Sequence, residues 1–72
     1  MTIRPVFYPE VGYGPENGFW EVMDYSATGK TIPLPFGMIV KSQTKEGANN
    51  SVYMVAEQLG SLGFRVDIEE AE

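Results

Sequence analysis

Residues 44–64 read TKEGANNSVYMVAEQLGSLGF, and they decide the fold because they carry the strongest helical pattern in the chain. Apolar residues recur in them at alternating spacings of four and three: Ala48, Val52, Val55, Leu59 and Leu62. At 3.6 residues per turn these side chains fall within an arc of about 80°. The spacing predicts an amphipathic helix whose apolar stripe rests on another layer of structure.

Both ends of this helix have recognisable signals. Thr44 is a suitable N-cap, because its hydroxyl can accept a hydrogen bond from a free N–H of the first turn. A later start at residues 49–50 is the alternative, since Gly47 and the Asn pair are poor helix formers. Gly63 stands where a left-handed C-terminal cap is expected, and Phe64 can fold back onto the last turn.

The residues before the helix predict three strands. They comprise residues 3–8, 19–25 and 30–36, joined by a loop at 9–18 and a hairpin turn at 26–29. The third strand contains Pro33 and Pro35, whose missing N–H groups would lie on the same side of the strand. We therefore predict that it is an edge strand, blocked against further strand addition.

Residues 64–68 alternate apolar and charged side chains, which indicates a half-buried strand after the helix. Because Pro5 weakens one side of the first strand, we place the last strand between the first and second, with an edge position as the close alternative. The sequence thus predicts a two-layer α+β fold of order β-β-β-α-β. It has a small, mostly antiparallel sheet with one helix packed on one face, in a single domain of residues 1–72 with a frayed acidic tail at 69–72.

Composition places the chain among ordinary globular proteins, with 43% apolar and 21% charged residues in a length of 72. No apolar run approaches the roughly 20 residues that span a bilayer, so we expect no membrane partner. Residues 1–5 lack the apolar stretch of a secretory signal, which favours a soluble, cytoplasmic protein.

Charge argues against direct nucleic-acid binding. Ten acidic residues oppose five basic ones, which gives a net charge of −5. The basic residues are spread singly along the chain: Arg4, Lys30, Lys41, Lys45 and Arg65. Phosphate backbones are bound by clusters of Lys and Arg, and the sequence has none. The acidic surface would meet a basic patch on another protein, or it simply maintains solubility.

Catalytic chemistry has little support in the sequence. The chain has no His and no Cys, so the usual general base and the best nucleophile are missing. A carboxylate metal site at Asp67, Glu69 and Glu70 would lack the loop spacing of a calcium site. We therefore expect no catalytic residues, no cofactor and no metal, and we interpret the chain as a non-enzyme.

The leading hypothesis is a protein–protein interaction module. In the second strand Trp20 and Val22 share one face, whereas Phe19, Met23 and Tyr25 share the other, and one helix covers only one of them. The uncovered face and the 9–18 loop would bind another protein, or a second copy of the chain as a homodimer. The predicted contact residues are Tyr8, Tyr13, Trp20 and Tyr25.

The alternative hypothesis is an acidic inhibitor. In size, acidity and lack of catalytic groups the chain resembles small proteins of phages and mobile elements. Some of these, such as anti-CRISPR inhibitors, bind host nucleoprotein machinery through acidic surfaces. The resemblance implies binding to a basic nucleic-acid-binding surface, and it carries over no functional residue because it is one of composition. The acidic contact residues would be Glu10, Glu16, Asp67, Glu69 and Glu70.

Overall fold

A computed structural model describes residues 1–10, 17–27 and 29–72. In chain order its elements are β1 (Thr2–Pro9), β2 (Gly18–Ala27), β3 (Lys30–Ile32), a 3-10 turn (Pro35–Gly37), β4 (Lys41–Ser42), α1 (Lys45–Ser61) and β5 (Asp67–Ile68). The described residues form a mixed five-stranded sheet and one helix, with 31% helix and 38% strand. The predicted α+β class is confirmed.

The two ends of α1 form as predicted. Thr44 has extended backbone angles, and its Oγ1 accepts a hydrogen bond from the N–H of Gly47 at 3.0 Å. At the other end Gly63 has a φ of +98°, a left-handed value that favours glycine. Its neighbour Phe64 donates its N–H to the carbonyl of Leu59 at 3.0 Å. The helix is therefore capped at both ends, and it begins at the earlier of the two predicted positions.

The apolar stripe of α1 faces the sheet, with one exception. Its buried residues are Ala48, Val52, Val55 and Leu59. Leu62 was predicted to extend the stripe, but it is 59% exposed. It occupies the C-cap with φ −90° and ψ 3°, so its backbone has left the helical path and the regular spacing no longer places its side chain.

The sheet has the order β3-β2-β1-β5, and the short β4 also pairs with β2. Strands β1 and β2 are antiparallel from Ile3 opposite Asp24 to Pro9 opposite Gly18. Strands β3 and β4 pair antiparallel with opposite halves of β2, whereas β5 runs parallel to β1. The sheet is thus mostly antiparallel, as predicted.

The predicted 9–18 loop lies largely outside the described residues, which omit 11–16. At its base the N–H of Glu10 donates to the carbonyl of Asn17 at 2.7 Å. The 26–29 hairpin turn is confirmed where it is described, since Ala27 lies opposite Lys30 and Gly29 has a φ of +71°.

The predicted 30–36 strand is too long. Strand β3 ends at Ile32, immediately before Pro33, and lies at the edge of the sheet as predicted. Because Pro33 and Pro35 have no N–H to donate, the chain leaves the sheet there and buries Leu34 beneath it at 4% exposure. It returns at β4 to pair with the first half of β2.

The last strand is shorter than predicted and lies at an edge rather than between the first two strands. Strand β5 pairs with the outer side of β1, where Asp67 donates its N–H to Met1 at 2.8 Å and Glu69 donates to Ile3 at 3.0 Å. Odd-numbered backbone groups of β1 therefore face β5. The next such residue is Pro5, which has no N–H to donate, and the pairing ends before it.

The core lies between α1 and one face of the sheet. Its buried apolar residues are Ile3, Val22, Leu34, Val52, Val55 and Leu59. One carboxylate, Asp24, is also buried, at 7% exposure, beside a bulge in the pairing of β2 and β3. Its Oδ1 accepts hydrogen bonds from the backbone N–H and the hydroxyl of Ser26, which satisfy this oxygen.

Candidate interaction surface

The two faces of the sheet differ in what covers them. Val22, with Ile3 and Pro5 from β1, points toward α1, and alternation along the strands sends their neighbours to the opposite side. Among the described residues no helix lies on that opposite side, which we call the open face. By register the open face comprises Thr2, Arg4, Val6, Tyr8, Phe19, Glu21, Met23, Tyr25, Lys41 and Asp67.

Aromatic rings and basic groups lie against each other on the open face. Tyr8 and Phe19 stack with ring centroids 5.4 Å apart and planes tilted by 22°. The Lys41 ammonium lies 4.7 Å from the Phe19 ring, and the Arg4 guanidinium lies 4.9 Å from the Tyr25 ring. Such contacts are each worth about 0.5–1 kcal/mol at exposed sites, and they hold the rings in place.

The Arg4 guanidinium has one buried donor without a hydrogen-bond partner among the described residues. This donor is its Nε. An unsatisfied buried donor costs free energy, so the contact with Tyr25 offsets part of a penalty rather than adding a full gain. The open face therefore contains a cation that protein groups hold without fully pairing it.

The four predicted contact residues are not brought to one surface. Tyr8 and Tyr25 both lie on the open face and are half-buried. Trp20 points to the opposite side of the sheet, where its ring packs on Phe7 with centroids 5.2 Å apart. Tyr13 lies outside the described residues.

The predicted acidic contacts are also dispersed. Glu10 follows the end of β1, whereas Asp67 lies in β5 beside the start of β1, opposite Thr2. Eight residues of extended chain separate Thr2 from Glu10, which corresponds to roughly 26 Å. Glu69 and Glu70 follow β5 directly, and Glu16 lies outside the described residues.

The tail after β5, residues 69–72, was predicted to fray, but the structure shows it bound to α1. The side-chain amide of Asn49 donates to the carbonyl of Ala71 at 3.1 Å and accepts from its N–H at 2.8 Å. The Tyr53 hydroxyl donates to Glu70 at 2.5 Å. This hydrogen bond is the largest cause that raises the pKa of Tyr53 above its usual 10.0, with desolvation and the charge of Glu70 adding to it.

Sequence reasoning missed an exposed apolar segment between β3 and β4. Phe36 is 75% exposed and Ile39 is 69% exposed. Phe36 has a φ of +63°, a left-handed conformation that is rare for a residue with a bulky side chain, and its ring lies edge-on to Phe64 at 6.0 Å. The signal for this segment was Pro35-Phe36-Gly37, which favours a turn. The sequence prediction instead placed Phe36 at the end of a strand.

No group of three or more acidic residues in the described parts of the chain is arranged to hold a metal ion. Within the same residues, no helix combines the length and the apolar character that crossing a bilayer requires.

The chain matches no protein-family model, no curated protein and no solved structure.

Proposed function

We propose that this chain is a non-enzymatic protein-interaction module that binds another protein through its open face. The observation that carries the proposal is the set of half-buried rings on a sheet face with no helix over it among the described residues: Tyr8 and Phe19 stack at one end of the face, and Tyr25 lies at the other. Aromatic side chains are enriched in the energetically dominant parts of protein interfaces.

The geometry of these rings favours binding. Stacking and contacts with Arg4 and Lys41 fix their orientations before a partner arrives, so less side-chain entropy is lost on association. The hydroxyls of Tyr8 and Tyr25 give an apolar surface the means to form hydrogen bonds with a partner.

The charge of the open face differs from that of the whole chain. Among the described residues it carries Arg4 and Lys41 against the carboxylates of Glu21 and Asp67, although the chain as a whole has a net charge of −5. Of the acidic residues of the inhibitor hypothesis that the structure describes, Asp67 lies on this face and Glu10, Glu69 and Glu70 lie at other places, so they support that hypothesis less well. The partner surface we expect is apolar and carries few charges.

Affinity capture tests the proposal. The wild-type chain, a Tyr8→Ala/Tyr25→Ala double variant and a Tyr53→Ala control would each be immobilised and exposed to native cell extract, with mass spectrometry of bound proteins. Tyr53 is a matched control because it is 51% exposed but lies on α1, away from the open face. We expect the double variant to lose a specific partner that the control retains.

Three further measurements show whether the double variant is folded, whether the partner is a second copy, and whether rings or acidic residues carry the binding. Circular dichroism shows whether the double variant is folded, and sedimentation of the purified chain shows whether the partner is a second copy. An interface built on rings retains binding as salt rises from about 0.05 to 0.5 M, whereas an acidic surface in a basic groove loses it steeply. Equal capture by the wild type and a folded double variant would remove the open face as the binding surface.

A further inference from the structure

A cavity of about 630 Å³ opens beside β1, past the point where Pro5 ends the pairing with β5. Its volume falls within the roughly 300–1,000 Å³ typical of small-ligand sites. The lining combines an aromatic part, from Phe7, Trp20 and Tyr25, with the tail at 69–72. The cavity thus joins ring surfaces to a segment that is rich in carboxylates.

The acidic wall of this cavity is held in place by the fold. The N–H of Glu69 donates to Ile3, and Asn49 binds both backbone groups of Ala71. Because three hydrogen bonds hold backbone groups of this short segment, its backbone has a defined position relative to the rings.

The charges that line the cavity do not balance. Glu69, Glu70 and Glu72 face a single basic residue, Arg4, whose guanidinium lies on the Tyr25 ring. Carboxylates beside aromatic faces form a favourable environment for a cation, since the ring quadrupole and the negative charges attract it together.

We propose that this cavity binds a guanidinium or alkylammonium group. The group is either a free organic cation or the side chain of Arg or Lys on another protein. Trp20 and Phe7, whose rings pack on each other with centroids 5.2 Å apart, offer an apolar surface for the methylene stem, and the tail offers carboxylates for the charged head. A strongly hydrated metal ion would gain little from the apolar wall.

This inference goes beyond the proposed function, because it assigns a ligand of stated chemistry to a cavity at the edge of β1. The cavity shares Arg4 and Tyr25 with the open face, but its test uses Trp20 and the tail, which the capture variants leave unchanged. Its test can therefore fail while capture at the open face persists, and the reverse also holds.

The fluorescence of Trp20 is a direct probe, since it is the only Trp in the chain and it lines the cavity. The purified chain would be titrated with arginine amide and with Nα-acetyl-lysine amide, whose side-chain ammonium is free. Acetyl-norleucine amide, which keeps the apolar stem but has no charge, and sodium chloride at matched ionic strength are the controls. We expect a saturable change with the two cations and none with the controls. Amide NMR shifts would move at β1, Trp20 and the tail.

Variants of the tail test the role of charge. Glu70→Gln/Glu72→Gln should raise the dissociation constant roughly fivefold, because two attractive charges are lost. Glu57→Gln is the matched control, since this acidic residue is exposed on α1 and does not line the cavity. Equal weakening by the control, or equally strong binding of the norleucine compound, would overturn the proposal.

A short peptide with one Arg distinguishes the two sources of the cation. Binding at least about tenfold tighter than arginine amide supports a protein side chain as the natural occupant, and equal affinities support a free small molecule. Shifts that map away from Trp20 and the tail with every cation would refute the site altogether.

Discussion

Val22 and Met23 are neighbours in β2, and both are buried, yet they are buried in different ways. Val22 is 1% exposed because a whole helix covers it, and it packs with Val55 and Leu59. Met23 is 9% exposed on the open face, where it lies opposite Arg4. The comparison shows that a second layer of structure and the neighbouring side chains of an open sheet face can give similar burial. Only the open face can be reached by a partner without unfolding the domain.

The largest expected effect comes from a change in the core between α1 and the sheet. Leu59→Ala removes a fully buried side chain of α1 and should lower the free energy of unfolding by about 2–5 kcal/mol. A chain of this length has a stability on the order of 4–10 kcal/mol, so the loss would be severe. Urea unfolding followed by circular dichroism measures it.

The matched control for this change is Leu62→Ala, three residues further along. Leu62 is 59% exposed, so its truncation should change stability by no more than about 0.5 kcal/mol. Equal losses of stability in the two variants would show that the apolar stripe of α1 extends to Leu62.

A smaller effect compares the two buried neighbours directly. Met23→Ala removes more atoms than Val22→Ala, yet we expect it to cost less, about 1 kcal/mol against about 2 kcal/mol. The space that Met23 leaves on the open face is accessible to water, whereas α1 closes over the space that Val22 leaves, and an enclosed cavity adds to the cost. The same urea experiment gives both values. A larger loss for Met23→Ala would show that the open face is packed as closely as the core.

The smallest effect concerns the hydrogen bonds that tie the tail to the outer side of α1. The phenol of Tyr53 donates to Glu70 only while protonated, and this bond raises its pKa. Because the pKa is higher in the folded chain, the hydrogen bond stabilises the fold fully below the ordinary tyrosine pKa of 10.0. This stabilisation is lost as pH rises through the raised pKa of Tyr53.

Glu70→Gln checks this assignment, because it removes the negative charge. The pKa of Tyr53, followed through its ring NMR shifts between about pH 8 and 12, should then move back toward the ordinary value. An unchanged pKa in this variant would mean that the bond to Glu70 does not form in solution.

Local signals explain which parts of the fold the sequence predicted. Thr44 and Gly63 set the ends of α1 through contacts within a few residues, so both could be recognised directly. The position of β5 depends on where the backbone donors of β1 point, which is a long-range property. Pro5 indicated a weak side of β1 but not which strand would lie on that side.

The candidate surface was predicted only in part, because alternation along a strand is a local property and the position of α1 over the sheet is not. Alternation along β2 correctly separated Trp20 from Tyr25. It could not show which face α1 would cover, because both faces carry large apolar side chains. The segment around Phe36 was assigned to a strand by its pattern, and the two prolines before Phe36 overrode that pattern.

The early end of β5 also bears on how the chain behaves when many copies are crowded together. Fibrils grow when the backbone of one chain extends the sheet of another along an unpaired strand. At this edge β5 is only two residues long, and the next outward-facing position of β1 is a proline that offers no hydrogen to a newcomer. Pro5 thus makes this edge of the sheet a poor template for fibril growth.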